Sequence, residues 1–212
     1  MSKKQDVALP VIRRLPRYYR FLSYQLEEGR ERISSAELSR KMGLTASQIR
    51  QDFNCFGGFG QQGYGYNIAL LREKIGDILG LNKKINTILV GVGNMGRAIA
   101  NKMNFESEGF NLSAIFDSNP DAFGKKYQGV EVLDFKTVEE YCQNNDVKAA
   151  IVCVPDSAAR EVVETLINSG IKVFWNFTHF DILMEYKDND IVVENVHMND
   201  SLMILRYLSK DI

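Results

Sequence analysis

The chain has 212 residues, of which 45% are hydrophobic and 25% charged, with a net charge of −1. That profile is ordinary for a globular protein of one large or two small domains. No apolar run is long enough to cross a bilayer, and Met1-Ser2-Lys3-Lys4-Gln5-Asp6 leads into no uninterrupted apolar core, so neither a membrane span nor a secretory signal is expected, and a cytoplasmic location is.

Charge is uneven along the chain. Residues 1–80 hold 13 Lys/Arg and 8 Asp/Glu, a net +5, whereas residues 81–212 hold 13 and 19, a net −6. A basic front joined to an acidic back suggests two tasks, with polyanion contact in the front.

The front reads as helices followed by a glycine-rich hairpin. Val11 to Glu28 has a helical pattern, with Pro16 at a helix start or between two short helices, and Gly29 as a stop. Ser34-x-x-Glu37 and Thr45-x-x-Gln48 are capping boxes. They predict helices over Ser35 to Met42, ended by Gly43, and over Ala46 to Phe53, which together make a helix-turn-helix pattern. Cys55 to Tyr66 alternates aromatics with glycines, as a short β-hairpin wing would. Asn67 caps a fourth helix, Ile68 to Leu79, and the polar joint Gly80-Leu81-Asn82-Lys83-Lys84 marks a domain boundary.

From Ile85 the pattern alternates strand and helix. Strands are predicted over 86–90, 112–116, 149–154, 173–177 and 191–193. Helices are predicted over 95–103, 138–144 and 157–169, the last with Asp156 as cap and Gly170 as stop. This alternation argues for an α/β fold with a parallel sheet. The tail Leu202-Met203-Ile204-Leu205-Arg206-Tyr207-Leu208 is apolar round most of a helical circumference, which hints at burial against a partner subunit or docking on its own domain.

The sharpest motif follows the first strand of this half. Ile88-Leu89-Val90 runs into Gly91-Val92-Gly93-Asn94-Met95-Gly96 and then into a helix former. Gly91 permits a tight turn, Gly93 lets backbone approach a pyrophosphate, and Gly96 allows close helix–strand packing. The new helix aims its free N–H groups and positive dipole end at the phosphates. Asp117 closes the next strand about 20 residues on, where a carboxylate accepts from a ribose hydroxyl and repels a 2′-phosphate, favouring NAD(H). S-adenosylmethionine or coenzyme A on a similar fold is the rival ligand.

In the front, the second helix of the pair presents Ser47, Gln48, Arg50 and Gln51, residue types that read base edges in a major groove. Gln48 serves the groove less if it serves the capping box. Arg13, Arg14, Arg17 and Arg20 are spaced on the first helix so that some can face the phosphate backbone, and Gln61 and Gln62 sit at the expected wing tip, suited to a minor groove. Cys55, Cys142 and Cys153 are odd in number and lack metal-ligand spacing, so reduced thiols are expected. His179 and His197 make no metal pair, and no metal site is expected.

Taken in order, these pieces resemble the redox-sensing transcriptional repressor family Rex. The most specific stretch is Thr45-Ala-Ser-Gln-Ile-Arg-Gln-Asp-Phe-Asn-Cys-Phe-Gly-Gly-Phe-Gly-Gln-Gln-Gly-Tyr-Gly-Tyr66, joined by Val11-Ile-Arg-Arg-Leu-Pro-Arg-Tyr-Tyr-Arg20, the glycine motif, Cys153-Val-Pro155, Trp175-Asn-Phe177 and Val193-Glu-Asn-Val196. The resemblance implies a winged-helix DNA-binding domain over 1–80, a Rossmann NAD(H)-binding domain over 85–196, and a C-terminal helix over 198–212 that swaps into the partner of a homodimer. It implies binding to an inverted-repeat operator and release by NADH, with Val154 and Pro155 near the nicotinamide. The chain departs from the family pattern at Lys102, at Thr178-His179, and at His197, where many members carry Asp paired with an arginine matching Arg20. The competing readings are an NAD-dependent oxidoreductase, a repressor answering to another nucleotide such as coenzyme A, and a nucleotide-binding module whose front never meets DNA.

Overall fold

In the computed structural model, residues 7–57, 64–187 and 189–210 are described. The chain divides into two units, Met1–Asn82 and Lys83–Ile212.

The first unit opens with α1, Leu9–Glu27, which carries a proline in its first turn and buries Leu15, Tyr18, Leu22 and Gln25. Pro16 lies inside this helix and does not divide it, contrary to the expectation from sequence. Its missing N–H removes a single intrahelical bond. The buried residues on both sides of it hold the helix through that gap.

Strand β1, Arg32–Ile33, precedes α2, Ser35–Met42, and α3, Ala46–Asn54. The caps form as the spacing predicts: Ser34 Oγ accepts from Glu37 N–H at 3.1 Å and Thr45 Oγ1 from Gln48 N–H at 3.0 Å. Asn67 likewise caps α4, Ile68–Leu79, through Leu70 N–H at 2.9 Å. The side chains of Glu37 and Gln48 do not return to their caps. Glu37 pairs with Arg30, and the Gln48 amide donates to Asp52.

Residues 58–63 of the expected hairpin lie outside the described residues. Strand β2, Tyr66–Asn67, pairs antiparallel with β1 in the segment ahead of α2. The apolar centre joins Leu15, Leu22, Leu38, Ile49, Phe53, Leu71 and Ile75, with Phe53 edge-on to Tyr18 and to Tyr66.

The second unit is built on β3 (Ile85–Val90), α5 (Asn94–Lys102), β4 (Phe110–Asp117), β5 (Lys126–Tyr127), β6 (Val130–Asp134), α6 (Val138–Asn144), β7 (Ala149–Val152), α7 (Asp156–Asn168), β8 (Val173–Asn176), α8 (Ile182–Glu185), β9 (Val192–Asn195) and α9 (Met198–Leu208). The sheet order is β5-β6-β4-β3-β7-β8-β9. All described pairings in it are parallel except that of β5 with β6.

Alternate strand residues serve two apolar layers. Ile88, Val90 and Val152 pack with Val163 and Leu166 of α7, while Leu89, Ile115 and Ile151 pack with Ile99 and Ala100 of α5. Helices therefore cover both faces, which is why the central strands are apolar throughout.

Boundaries shift by a residue or two where apolar pattern alone defined them. Asp156 is the first residue of α7 and Pro155 its cap, because the Asp156 carboxylate accepts from His179 N–H at 2.8 Å. The β5–β6 hairpin and α8 are too short to show a period, so the sequence pattern does not reveal them.

Pro16 generates a stability prediction. Pro16→Ala restores an N–H to the middle of α1 and is expected to stabilise the first unit by about 1–3 kcal/mol. Urea unfolding followed by helical circular dichroism checks it.

Candidate functional site

The strand order places β3 and β7 side by side at the middle of the sheet, with the following helices α5 and α7 on opposite faces. This is the point where a doubly wound sheet opens a crevice at its carboxyl ends. A cleft of about 680 Å³ lies there. Gly91, Val92, Gly93, Asn94 and Met95 line one side, Asp117 another, and Val154 and Pro155 a third. Gly96 is the one expected cofactor residue that does not line it.

The three glycines have separate causes. Gly91 has φ +94°, and a Cβ there would lie 2.6 Å from the Cys153 carbonyl oxygen. A Cβ on Gly96 would lie 1.8 Å from the Gly91 oxygen, so α5 starts against the turn only because Gly96 lacks a side chain. A Cβ on Gly93 would meet nothing within 4 Å. Gly93 faces open space, where a ligand's phosphates can reach backbone N–H groups at the start of α5.

Asp117 is held rigidly. Its Oδ2 accepts from Val92 N–H at 2.6 Å and its Oδ1 from Asn119 N–H at 2.8 Å. The carboxylate therefore braces the glycine turn as well as facing the cleft. Arg97 and Lys125, which sequence reasoning did not single out, add cationic side chains to the lining. Arg97 adjoins Gly96 in sequence, so its signal was available, whereas Lys125 lies eight residues past Asp117 and is brought to the cleft by the fold.

The two histidines gather beside Asp156, the residue after Pro155. Hydrogen bonds from the His179 backbone N–H and ring hold the Asp156 carboxyl below its ordinary value. His197, at the start of α9, contacts the Thr178 carbonyl at 3.1 Å through Nε2, and its ring stacks on His179 at 5.5 Å. Lys102 is the exposed last residue of α5. Among the described residues no group of three or more His, Cys, Asp or Glu is placed to hold a metal.

In the first unit, α3 turns Ser47, Arg50 and Gln51 to solvent, together with Asn54. Asn54 was missed, although it continues the same face at helical spacing from Ser47, Arg50 and Gln51. Arg50 also reaches Ser35 Oγ at 3.2 Å. On α1, Arg13, Arg17 and Arg20 are exposed, and Arg17 donates to the Met42 carbonyl at 2.6 Å.

Arg14 and Gln48 differ from expectation. Arg14 grips the buried Asp52 through two bonds of 2.6 Å, and Gln48 donates to it at 2.9 Å. Both side chains are engaged beneath α3, because a buried carboxylate needs donors. Gln61 and Gln62 lie outside the described residues. Burial pushes the Asp52 carboxyl up, but hydrogen bonds from Arg14, Tyr18 and Gln48 outweigh it and leave the group below its ordinary value.

Comparison with known proteins matches both units. A family model described as "CoA binding domain" matches residues 82–180, and one described as "Putative DNA-binding protein N-terminus" matches residues 6–54. The redox-sensing transcriptional repressor Rex of Thermoanaerobacter pseudethanolicus is 52% identical over 207 residues, covering 98% of this chain and 91% of the relative. Its counterpart in Clostridium acetobutylicum is 47% identical over 212 residues, covering 100% and 98%. A crystal structure of the repressor RSP in complex with β-NAD+ and operator DNA is 51% identical, with a TM-score of 0.89 over 97% of this chain and 93% of that one. RSP in complex with β-NADH is 48% identical, with a TM-score of 0.86 over 97% and 95%.

The cleft wall also fixes a chemical expectation. Burial pushes the Cys153 thiol up to about 12. At about pH 8, iodoacetamide is expected to leave Cys153 unmodified in the native chain and to reach it only in denaturant, since the thiolate is the reactive form. Mass mapping of alkylated peptides reads this directly, and rapid native labelling of Cys153 would contradict the packing.

Proposed function

The chain belongs to the Rex family of redox-sensing transcriptional repressors, and we propose from that premise that it reports the NADH/NAD+ ratio by leaving operator DNA when NADH binds. The observation that carries this reading is the pairing, in one chain, of an outward reading helix with a switch-point cleft that has both an open glycine and an opposed acid. The full-length likeness to a repressor solved with both NAD+ and operator DNA supports it.

The cleft's residues suit a dinucleotide. Gly91 to Met95 and the start of α5 receive the pyrophosphate, with Gly93 leaving room for it and Gly96 keeping α5 close. Asp117 accepts from the ribose diol and, being anchored by two backbone N–H groups, cannot swing away from a phosphate placed there. NAD(H) is therefore preferred over NADP(H) and over coenzyme A, whose ribose is phosphorylated. When bound, the cofactor supplies a nicotinamide that is cationic in one redox state and neutral in the other. Val154 and Pro155 line that side with apolar surface, which desolvates a cation at greater cost than a neutral ring. A ligand with equal affinity for both protein states would shift nothing, so this difference is what the sensor requires.

On DNA, Ser47, Arg50 and Gln51 of α3 read base edges, while Arg13 and Arg17 meet phosphates. An inverted-repeat operator needs a two-fold partner. Helix α9 supports one: Leu202, Ile204, Leu205 and Leu208 are each 60–70% exposed, so no side of this apolar helix is covered. A second copy of the chain covers it, giving a homodimer with an exchanged C-terminal helix. No helix of the described residues is long and apolar enough to cross a membrane. The protein works in the cytoplasm, where operator DNA and the NADH pool meet, and it is a binding protein and not an enzyme.

The "CoA binding domain" match favours one second reading, a repressor released by coenzyme A. Titrating an operator complex with NADH, NAD+ and coenzyme A separates the two, and equal release by NADH and NAD+ defeats the redox reading. Asp117→Ala is expected to keep operator binding and to weaken NADH about tenfold or more. Arg50→Ala is expected to weaken operator binding about tenfold or more, with cofactor affinity intact. Ile204→Glu is expected to yield monomers in sedimentation and to lose the inverted-repeat complex, because it places a charge in the covered face.

A further inference from the structure

We propose that Asp52, which itself touches neither base nor phosphate, is the positioning residue that sets the rotation of the recognition helix and so its sequence selectivity. The inference rests on α3 being the DNA reader. Asp52 is fully buried, yet it is a carboxylate on a short helix whose other buried residues are only Ile49 and Phe53. Two apolar anchors hold a helix against its neighbour without fixing its angle about its own axis, because apolar contact is non-directional.

Asp52 supplies that direction. Arg14 Nε donates to Oδ2 and Arg14 Nη2 to Oδ1, both at 2.6 Å. The Tyr18 hydroxyl donates to Oδ2 at 2.7 Å, and Gln48 Nε2 donates to Oδ1 at 2.9 Å. Arg14 and Tyr18 stand one turn apart on α1 and both reach Asp52, so three hydrogen bonds join the helices there, while Gln48, one turn from Asp52 on α3, braces the carboxylate from within its own helix. A planar guanidinium fork tolerates little rotation of its carboxylate partner. Burial and the neighbouring carboxylate also keep the Tyr18 phenol protonated as a donor.

On the far side of the same helix, Ser47, Arg50, Gln51 and Asn54 face out. Side chains that read base edges must be held within about 10–20° of their working geometry. A clamp on the inner face therefore governs which bases the outer face can pair with. It leaves the phosphate contacts of α1 largely unchanged, since these follow charge and not angle.

The test uses the full chain, the operator duplex of the RSP complex, and a scrambled duplex of equal length and charge. Asp52→Asn keeps the shape and breaks the charged fork. The double variant Arg14→Met with Asp52→Leu, made in a Tyr18→Phe background so that no buried hydroxyl is left unpaired, replaces the buried cluster by apolar groups, an exchange that is commonly neutral or stabilising for folding. Both variants are expected to lose operator affinity by about tenfold or more, the scale of one lost base-specific pair. Affinity for the scrambled duplex and NADH affinity stay at the wild-type level, and the double variant melts like wild type. Wild-type selectivity in either folded variant overturns the proposal. Selectivity that returns in the double variant along with its melting temperature also overturns it, since Asp52 would then act through stability alone. A parallel loss on both duplexes overturns it as well. If the wild-type chain itself shows no preference for the operator, the functional reading fails instead, and the two failures are told apart by that control.

Discussion

At two glycines of the second unit, Gly91 and Gly96, the backbone is packed so closely that no side chain fits. The Gly91 oxygen faces the Gly96 Cα, and the Gly91 Cα faces the end of β7. These two contacts bring the start of α5, the end of β3 and the end of β7 to one point. The crevice exists because of them: a methyl group at Gly96 would push α5 off the sheet and carry its N–H groups away from the place where Gly93 opens. Asp117 closes the arrangement by accepting from Val92 N–H, so the acid that faces the cleft also holds the turn in shape. Steric closeness and ligand recognition are served by the same few atoms.

The first unit solves a related problem with charge instead of absence. Its helices α2 and α3 are short, eight and nine residues, and bury few apolar side chains each. A carboxylate with four donated hydrogen bonds is an expensive thing to bury, and it is retained here between the two helices whose relative placement matters most. The basic excess of the front half is thereby divided. Arg14 serves the interior, while Arg50 and Arg20 remain exposed.

Much of this was legible in the residues. The capping spacings at Ser34 and Thr45 located α2 and α3, and Asn67 located α4, because a hydroxyl or amide three residues before an N–H is a local and nearly self-sufficient signal. The glycine motif and Asp117 located the cleft for a similar reason. What sequence pattern missed depended on distant partners. Arg14 and Gln48 look like surface residues until Asp52 is seen between them, and nothing in a helical pattern says which of two arginines turns inward. Pro16 reads as a boundary because local propensity disfavours it mid-helix, and tertiary packing overrides that preference. Strand β1 is two residues long and acquires its identity only from β2, far along the chain.

Helix α9 carries a cost that reaches beyond assembly. A terminal helix with apolar residues on every side and water around it is tolerable only while another molecule shields it. On the dimer reading, a newly made copy must meet a second before surveillance proteases or aggregation remove it. The protein's abundance then sets its own survival: scarce copies are lost, plentiful copies persist, and a gene product lacking this segment would draw intact chains into mismatched, half-shielded pairs.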